Sequence, residues 1–354
     1  MCVRWEFVPG MTTETADLAI EAGLRYVEPG EPGLRRVRRG RGFSYESHKG
    51  AVVNGSRKVW IESLVIPPAW EEVWICSDRD GHILATGTDK AGRKQYIYHP
   101  EWEAIRDSVK FDRLGSFGRG LAGLRKRVDS DLRLRGLPRD RVVALATAVL
   151  DRTLLRVGNG KYARENESYG LTTLTCEHIE VNGNHVHLEF AGKGGADRAL
   201  AFDDRRLSSL VARCQELAGQ TLFSYETESG DVASVTSTDV NHYLSQTLGR
   251  RFTAKDFRTW GASALVVTEL AGVGEDVGRD EALRDAIDSA AERLGNTRAV
   301  CRDSYLHPAV IAAHETGALG PVWKRSRPGK WIDRSESALR MILDETTGWG
   351  TRGG

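Results

Sequence analysis

Two periods of hydrophobic and polar residues alternate along this chain. Residues 72–77, 82–88 and 94–98 alternate with a period of two, the signature of strands that bury one face. The turns between them, DRDG and DKAGR, are rich in residues that tolerate left-handed backbone. Ahead of them, Ile66-Pro67-Pro68-Ala69-Trp70 forms a rigid turn, because two prolines fix φ and push the preceding residue to an extended conformation. From residue 99 the period lengthens to that of helices, over 99–112, over 113–134 with a basic flank, and over 141–155 after the breaker GLPRD. Short alternation returns over 177–181, 185–190 and 198–202, joined by NGN and GKGGAD. Helical spacing then runs over 208–217, 237–248, 253–270 and 279–294, with Thr236 or Ser237 as an N-cap.

These patterns predict an α+β protein: a small N-terminal antiparallel sheet domain, then a larger, mostly helical domain holding a small three-stranded sheet. The division reads as an N-terminal extension over 1–22, a β-rich domain over 23–105, a second domain over 106–331 and a tail over 332–354. No internal repeat or low-complexity tract interrupts it.

Residues 155–174, LRVGNGKYARENESYGLTTL, do not read as core. Gly158 and Gly160 are expected to break the preceding helix, leaving Arg156 at its mouth. Lys161, Tyr162 and Arg164 follow on a short helical turn, and Gly170 opens an extended run over 171–174. Cation, aromatic and small residues in that order suit a phosphate-bearing partner. They equally suit a helix-to-strand corner with a solvated face.

Composition narrows the picture. The 354 residues give room for two domains, and their formal net charge is only +1, so any nucleic-acid surface has to come from distribution. Residues 35–41 read RRVRRGR, expected to be a flexible basic arm, either disordered or closing on a polyanion, with the second favoured. Residues 90–127 hold ten Lys and Arg against four Asp and Glu, whereas 269–292 hold eight acids against two arginines. Such asymmetry allows one basic face on a nearly neutral protein. Five scattered cysteines without CxxC spacing argue against zinc or a disulfide framework and fit a reducing cytoplasm. No apolar run has the length of a membrane span, and no motif presents metal-ligand spacing.

On the strand over 94–98, Tyr96 and Tyr98 fall on one face and Gln95 on the other, beside Arg93 and Lys94. A glutamine amide can bond adenine and tyrosines can contact bases or phosphates. Aromatic residues on a strand also serve simply as packing.

The 155–174 stretch resembles the start of the catalytic domain of the poxvirus-like type IB DNA topoisomerases. GKGGADR at 192–198, TAKDFRTWG at 253–261 and LGNTRAVCRDSYLHP at 294–308 resemble the remaining motifs of that family, in its order. The resemblance implies the catalytic fold shared by type IB topoisomerases and tyrosine recombinases, with double-stranded DNA as partner. It further implies a monomer that closes as a clamp, needs no cofactor or metal, and works at the nucleoid in the cytoplasm. Tyr305 becomes the nucleophile, Arg156 and Arg258 the phosphate clamps, and Lys193 the acid for the leaving 5′ oxygen. Asn296 stands where poxvirus members carry histidine. Lys255 reads as KxxR, whereas recombinases usually show HxxR. Arg93, Gln95, Tyr96, Tyr98, Lys161, Tyr162 and Lys255 become DNA contacts. A tyrosine recombinase and a non-enzymatic DNA-binding protein are the competing readings.

Overall fold

A computed structural model describes residues 12–217, 219–249, 252–274 and 277–349. The chain divides into two units, Met1–Lys110 and Phe111–Gly354.

The first unit opens with helix α1 (Thr12–Glu21) and then pairs β1 (Leu34–Arg39) with β2 (Gly42–Ser47). Helix α2 (Gly55–Ser63) leads to β3 (Glu71–Ile75), β4 (Ile83–Thr88) and β5 (Lys94–Tyr98). All five strands join one antiparallel sheet in the order β2-β1-β3-β4-β5, so the expected three-stranded meander gains a hairpin at its edge.

That hairpin corrects the expectation of a flexible basic arm over 35–41. Leu34 pairs with Ser47 and Arg39 with Gly42, and Gly40 takes the positive φ the tight turn requires. Three of the hairpin's arginines, Arg35, Arg36 and Arg39, are held by internal partners. Arg36 donates to the carbonyls of Ile66, Pro67 and Trp70 and lies 4.2 Å over the Phe43 ring. Arg35 and Arg39 converge on the buried Glu46 carboxylate at 2.7 and 3.1 Å. Leu34, Tyr45, Ile61, Trp70, Val73 and Ile75 form the apolar layer between sheet and α2. In the stretch expected as an extension, Ala19 is fully buried with Leu24 and Trp102.

Helix α3 (Pro100–Asp112) carries the chain into the second unit. There follow α4 (Leu114–Asp131), α5 (Arg139–Thr153) and the short α6 (Gly160–Asn166). The antiparallel sheet β6 (Ile179–Asn182), β7 (His185–Ala191) and β8 (Asp197–Asp203) comes next, then α7 (Arg205–Gln215) and the small hairpin β9 (Ser224–Glu226) and β10 (Val232–Ser234). The remainder is helical: α8 (Ser237–Leu248), α9 (Ala254–Gly272), α10 (Arg279–Leu294), α11 (Arg298–Tyr305), α12 (Pro308–Glu315), α13 (Leu319–Arg325) and α14 (Arg334–Trp349). Thr236 caps α8, its hydroxyl accepting from Asp239 N.

Helix α9 is apolar on most of its circumference, as a helix at the centre of a unit must be. Trp260 and Phe257 stack around Phe117 of α4, with ring centroids 6.1 and 5.2 Å away. Asp256 caps α9 by accepting from Thr253 N at 2.8 Å and pairs with Arg113 at 2.9 Å.

Two further expectations give way. Of the stretch 332–354 expected as a tail, the described part is not separate, because α14 buries Ala338, Leu339, Ile342 and Leu343 in the main core. Each of the buried leucines and the isoleucine contributes about 2 kcal/mol. Its Glu336 carboxylate accepts from both ends of the Arg125 guanidinium at 2.7 and 2.8 Å and from Trp260 Nε1 at 2.9 Å. Residues 171–174 are a 3-10 turn over Leu171–Thr173 instead of a strand. Leu171 N and Thr172 N bond the Arg156 and Val157 carbonyls, and the Thr173 hydroxyl closes onto Gly170. These local bonds satisfy the backbone groups that a ladder would have used.

Candidate active site

Helix α5 ends at Thr153, three residues before Arg156, and the stop is not glycine. Leu154 adopts the left-handed conformation at φ 56°, uncommon for a branched side chain. Helix α9 imposes it: Arg258 Nη1 donates to the Leu154 carbonyl, and the Leu154 side chain fills the space over Gly261, where a Cβ would lie 2.5 Å away. Gly158, at φ +93°, then backs onto Gly170, while Gly160 begins α6. The chain turns at Leu154, four residues before the first glycine of the expected break, Gly158.

Arg156, Lys193 and Arg258 line one recess, together with Arg198. They come from the loop after α5, the β7–β8 hairpin, α9 and β8. Arg258 is 4% exposed; its Nη2 donates to the Leu294 carbonyl at 2.9 Å and its Nε is buried without a partner. Arg156 Nη2 donates to Asn296 Oδ1 at 2.5 Å, which leaves Asn296 Nδ2 buried and unpartnered. Burial, then neighbouring Arg258, push the Arg156 guanidinium down to about 10, so it stays cationic at neutral pH. Crowded cations and an unused amide donor are what a site prepared for an anion requires.

Tyr305 ends α11, with its ring half-buried 5.0 Å from the Arg258 guanidinium carbon and 5.9 Å from Lys255 Nζ. Ser263 fixes the backbone there, donating to the Tyr305 carbonyl at 3.3 Å and accepting from His307 N at 3.0 Å. Lys193 is exposed on its hairpin.

Among residues expected to touch DNA, Lys255 thus lies beside Tyr305. The side chains of Lys161 and Tyr162 lie outside the described residues. Arg93, Gln95, Tyr96 and Tyr98 belong to the first unit. Arg93 and Gln95 both donate to Asp89 Oδ2, at 2.6 and 2.8 Å. The Tyr96 and Tyr98 rings stack at 5.8 Å, and burial pushes the Tyr98 phenol up to about 12. Sequence reasoning passed over Arg198 and Ser263. Arg198 was visible inside GKGGADR on the strand after the lysine, whereas nothing in the pattern marks Ser263. Among the described residues no cluster of His, Cys, Asp or Glu is placed to hold a metal ion, and no helix is long and apolar enough to cross a membrane.

The family models and the curated relatives that match this chain name one family. Residues 99–317 match the model of the eukaryotic DNA topoisomerase I catalytic core, and residues 42–89 match the N-terminal domain of bacterial DNA topoisomerase IB. DNA topoisomerase 1B of Acanthamoeba polyphaga mimivirus is 32% identical over 258 residues, which cover 70% of this chain and 76% of the viral protein. DNA topoisomerase 1B of Vaccinia virus (strain Copenhagen) is 23% identical over 257 residues, with the same coverage. Among solved structures, a XerH site-specific recombinase bound to difH substrate aligns with a TM-score of 0.33 at 16% identity, over 51% of this chain and 47% of that one. With a matching family model over more than half its length and this viral relative, the chain belongs to the type IB DNA topoisomerases.

Proposed function

We propose that this enzyme relaxes supercoiled duplex DNA by cutting one strand through a transient 3′-phosphotyrosyl bond at Tyr305, letting the free end swivel, and rejoining it. The observation that carries this reading is the placement of Tyr305 against Arg258 and Lys255, next to Arg156 and its Asn296 partner. A phenol ionises near pKa ~10, and nearby cations lower the cost of the phenolate that attacks phosphorus. The guanidiniums of Arg156 and Arg258 take the non-bridging oxygens, whose charge grows in the pentacoordinate transition state. Asn296 Nδ2 offers a further neutral donor. Lys193 protonates the departing 5′ oxygen, and its glycine-flanked hairpin gives the ammonium the reach to do so. The phosphotyrosyl linkage conserves the phosphodiester energy, so rejoining needs neither ATP nor metal.

In this reading the enzyme works as a monomer that closes on duplex DNA at the nucleoid, and Arg93, Gln95, Tyr96, Tyr98, Lys161 and Tyr162 help to seat the duplex. KxxR at Lys255 supports topoisomerase over recombinase chemistry. The test is relaxation of a supercoiled plasmid without ATP and with excess EDTA, comparing the native chain with Tyr305→Phe. Relaxation by the native chain alone supports the reading. Relaxation by both removes Tyr305 as nucleophile, and relaxation by neither removes the activity.

A further inference from the structure

Arg198 holds two parts of the recess together. Its side chain crosses from the β7–β8 hairpin to the C-terminal turn of α10 and forks there. Nη1 donates to the Glu292 carbonyl at 2.9 Å and Nη2 to the Arg293 carbonyl at 2.8 Å. Those carbonyls lie in the last turn of a helix, where the negative pole of the dipole favours a cation, and the Glu292 carbonyl also accepts from Gly295 N at 3.0 Å. Two glycines make room for it. A Cβ on Gly192 would stand 2.8 Å from Arg198 Cγ, and one on Gly295 would stand 2.6 Å from Nη1. Gly192 adjoins Lys193, and Gly295 adjoins Asn296. Burial, then Arg258 and Arg293, lower the Arg198 pKa, and this repulsion is accepted in exchange for the fork.

We infer that Arg198 is a positioning residue that registers the Lys193 hairpin against the α10 turn. The inference rests on Lys193 acting as the acid proposed above. Of the two parts, the hairpin is the one that moves when the fork is lost: residues 193–197 are exposed, whereas α10 is anchored by buried Leu283, Ile287 and Leu294. During cleavage the Tyr305 phenol gives its proton to water and its oxygen bonds phosphorus, the P–O5′ electron pair stays with the 5′ oxygen, and that oxygen takes the Lys193 proton. A misplaced hairpin therefore penalises proton delivery and spares DNA binding.

The experiment is single-turnover cleavage of an ordinary duplex and of one whose bridging 5′ oxygen is sulfur, a leaving group that needs no proton. Arg198→Lys keeps the stem and charge but cannot fork, and Arg198→Ala removes both. Both are expected to cleave the ordinary duplex about 10-fold to 100-fold more slowly, part of what a general acid supplies. Their affinity for DNA stays within about threefold, and most of the rate deficit disappears on the sulfur substrate, as it does for Lys193→Ala. Equal slowing on both substrates, or a native rate in Arg198→Lys, overturns the inference. If Arg198→Ala does not fold, Arg198→Lys decides alone. Failure of the underlying reading shows separately, as absence of sulfur rescue in Lys193→Ala or cleavage by Tyr305→Phe.

Discussion

Gly158 and Gly170 meet backbone to backbone: a Cβ on Gly170 would lie 2.7 Å from the Gly158 Cα and 2.7 Å from the Arg156 carbonyl oxygen. Gly170 itself has φ −150°, so it is glycine for space and not for backbone freedom. Gly170→Ala must therefore push apart the loop that carries Arg156. Overpacking of this kind typically costs about 1–3 kcal/mol. We expect a melting temperature lowered by several degrees and cleavage slowed about tenfold or more, since small displacements of a transition-state donor are costly. Thermal melting with single-turnover cleavage below the melting range checks it. A native cleavage rate would show that the loop yields without moving Arg156.

The C-terminal helix should prove integral to the second unit. Burial alone would raise the Glu336 carboxyl, but Arg125 outweighs it and holds the pKa below its ordinary value. Arg125 also donates to both oxygens of Asp151, at 2.7 and 2.9 Å, so removing Glu336 does not leave the guanidinium uncompensated, and the cost falls below the ~3–5 kcal/mol of a buried pair fully broken. Glu336→Ala is expected to lose about 1–3 kcal/mol in denaturant titration, chiefly for the Trp260 and Arg125 donors it strands, and truncation before Arg334 to lose more. Glu336→Ala with near-native stability would mean that Asp151 alone satisfies Arg125.

Acid sensitivity of the first unit has a specific source. His82 is 3% exposed, its Nδ1 accepts from Val27 N at 3.0 Å, and its ring stacks on Tyr26. Burial lowers its pKa from 6.5 to about 4. The unfolded chain then binds the proton more readily, so stability is full above pH 6.5 and is lost as pH falls from there toward 4. The whole shift corresponds to on the order of 3 kcal/mol. Melting at pH 7 and pH 5, a window above most carboxylate titrations, should show a decline in the native chain that is reduced in His82→Gln. An equal decline in both would assign the sensitivity elsewhere.

Much of this architecture was legible because its periods are clean: β4, β5, β7, β8 and α8 to α10 fall where alternation or helical spacing puts them. What escaped was set by long-range partners. Arg35, Arg36 and Arg39 of β1 look like a solvated arm until Glu46 and the carbonyls near the Pro67-Pro68 turn are brought to them. Leu154 ends α5 because Arg258 and Gly261, more than a hundred positions away, hold it. The helical spacing of Ala338, Leu339, Ile342 and Leu343 was present in the chain, but only the core of the second unit gives that face somewhere to go. At the candidate site, motif order marked Arg156, Lys193, Arg258 and Tyr305. The roles of Arg198 and Ser263 depend on hydrogen bonds that no spacing encodes.

The amide of Asn296 separates two effects that a histidine in its place would blend. Its Oδ1 accepts from Arg156 and its Nδ2 has no partner, so one end holds Arg156 and, in the proposed reaction, the other donates to phosphate. Asn296→Asp keeps the acceptor for Arg156 and strengthens that bond with a full charge. It also replaces the donor by an oxygen that repels the scissile phosphate. Losing a donor to a transition-state anion typically costs about 100-fold to 1000-fold in rate. We expect Asn296→Asp to cleave at least 100-fold more slowly while melting no lower than the native chain. Asn296→Ala, which loses both functions without adding repulsion, should cleave faster than Asn296→Asp and melt lower. Single-turnover cleavage and thermal melting of the two variants check this ordering. If Asn296→Asp retained activity, Nδ2 would have no part in the reaction, and Asn296 would serve only to hold Arg156.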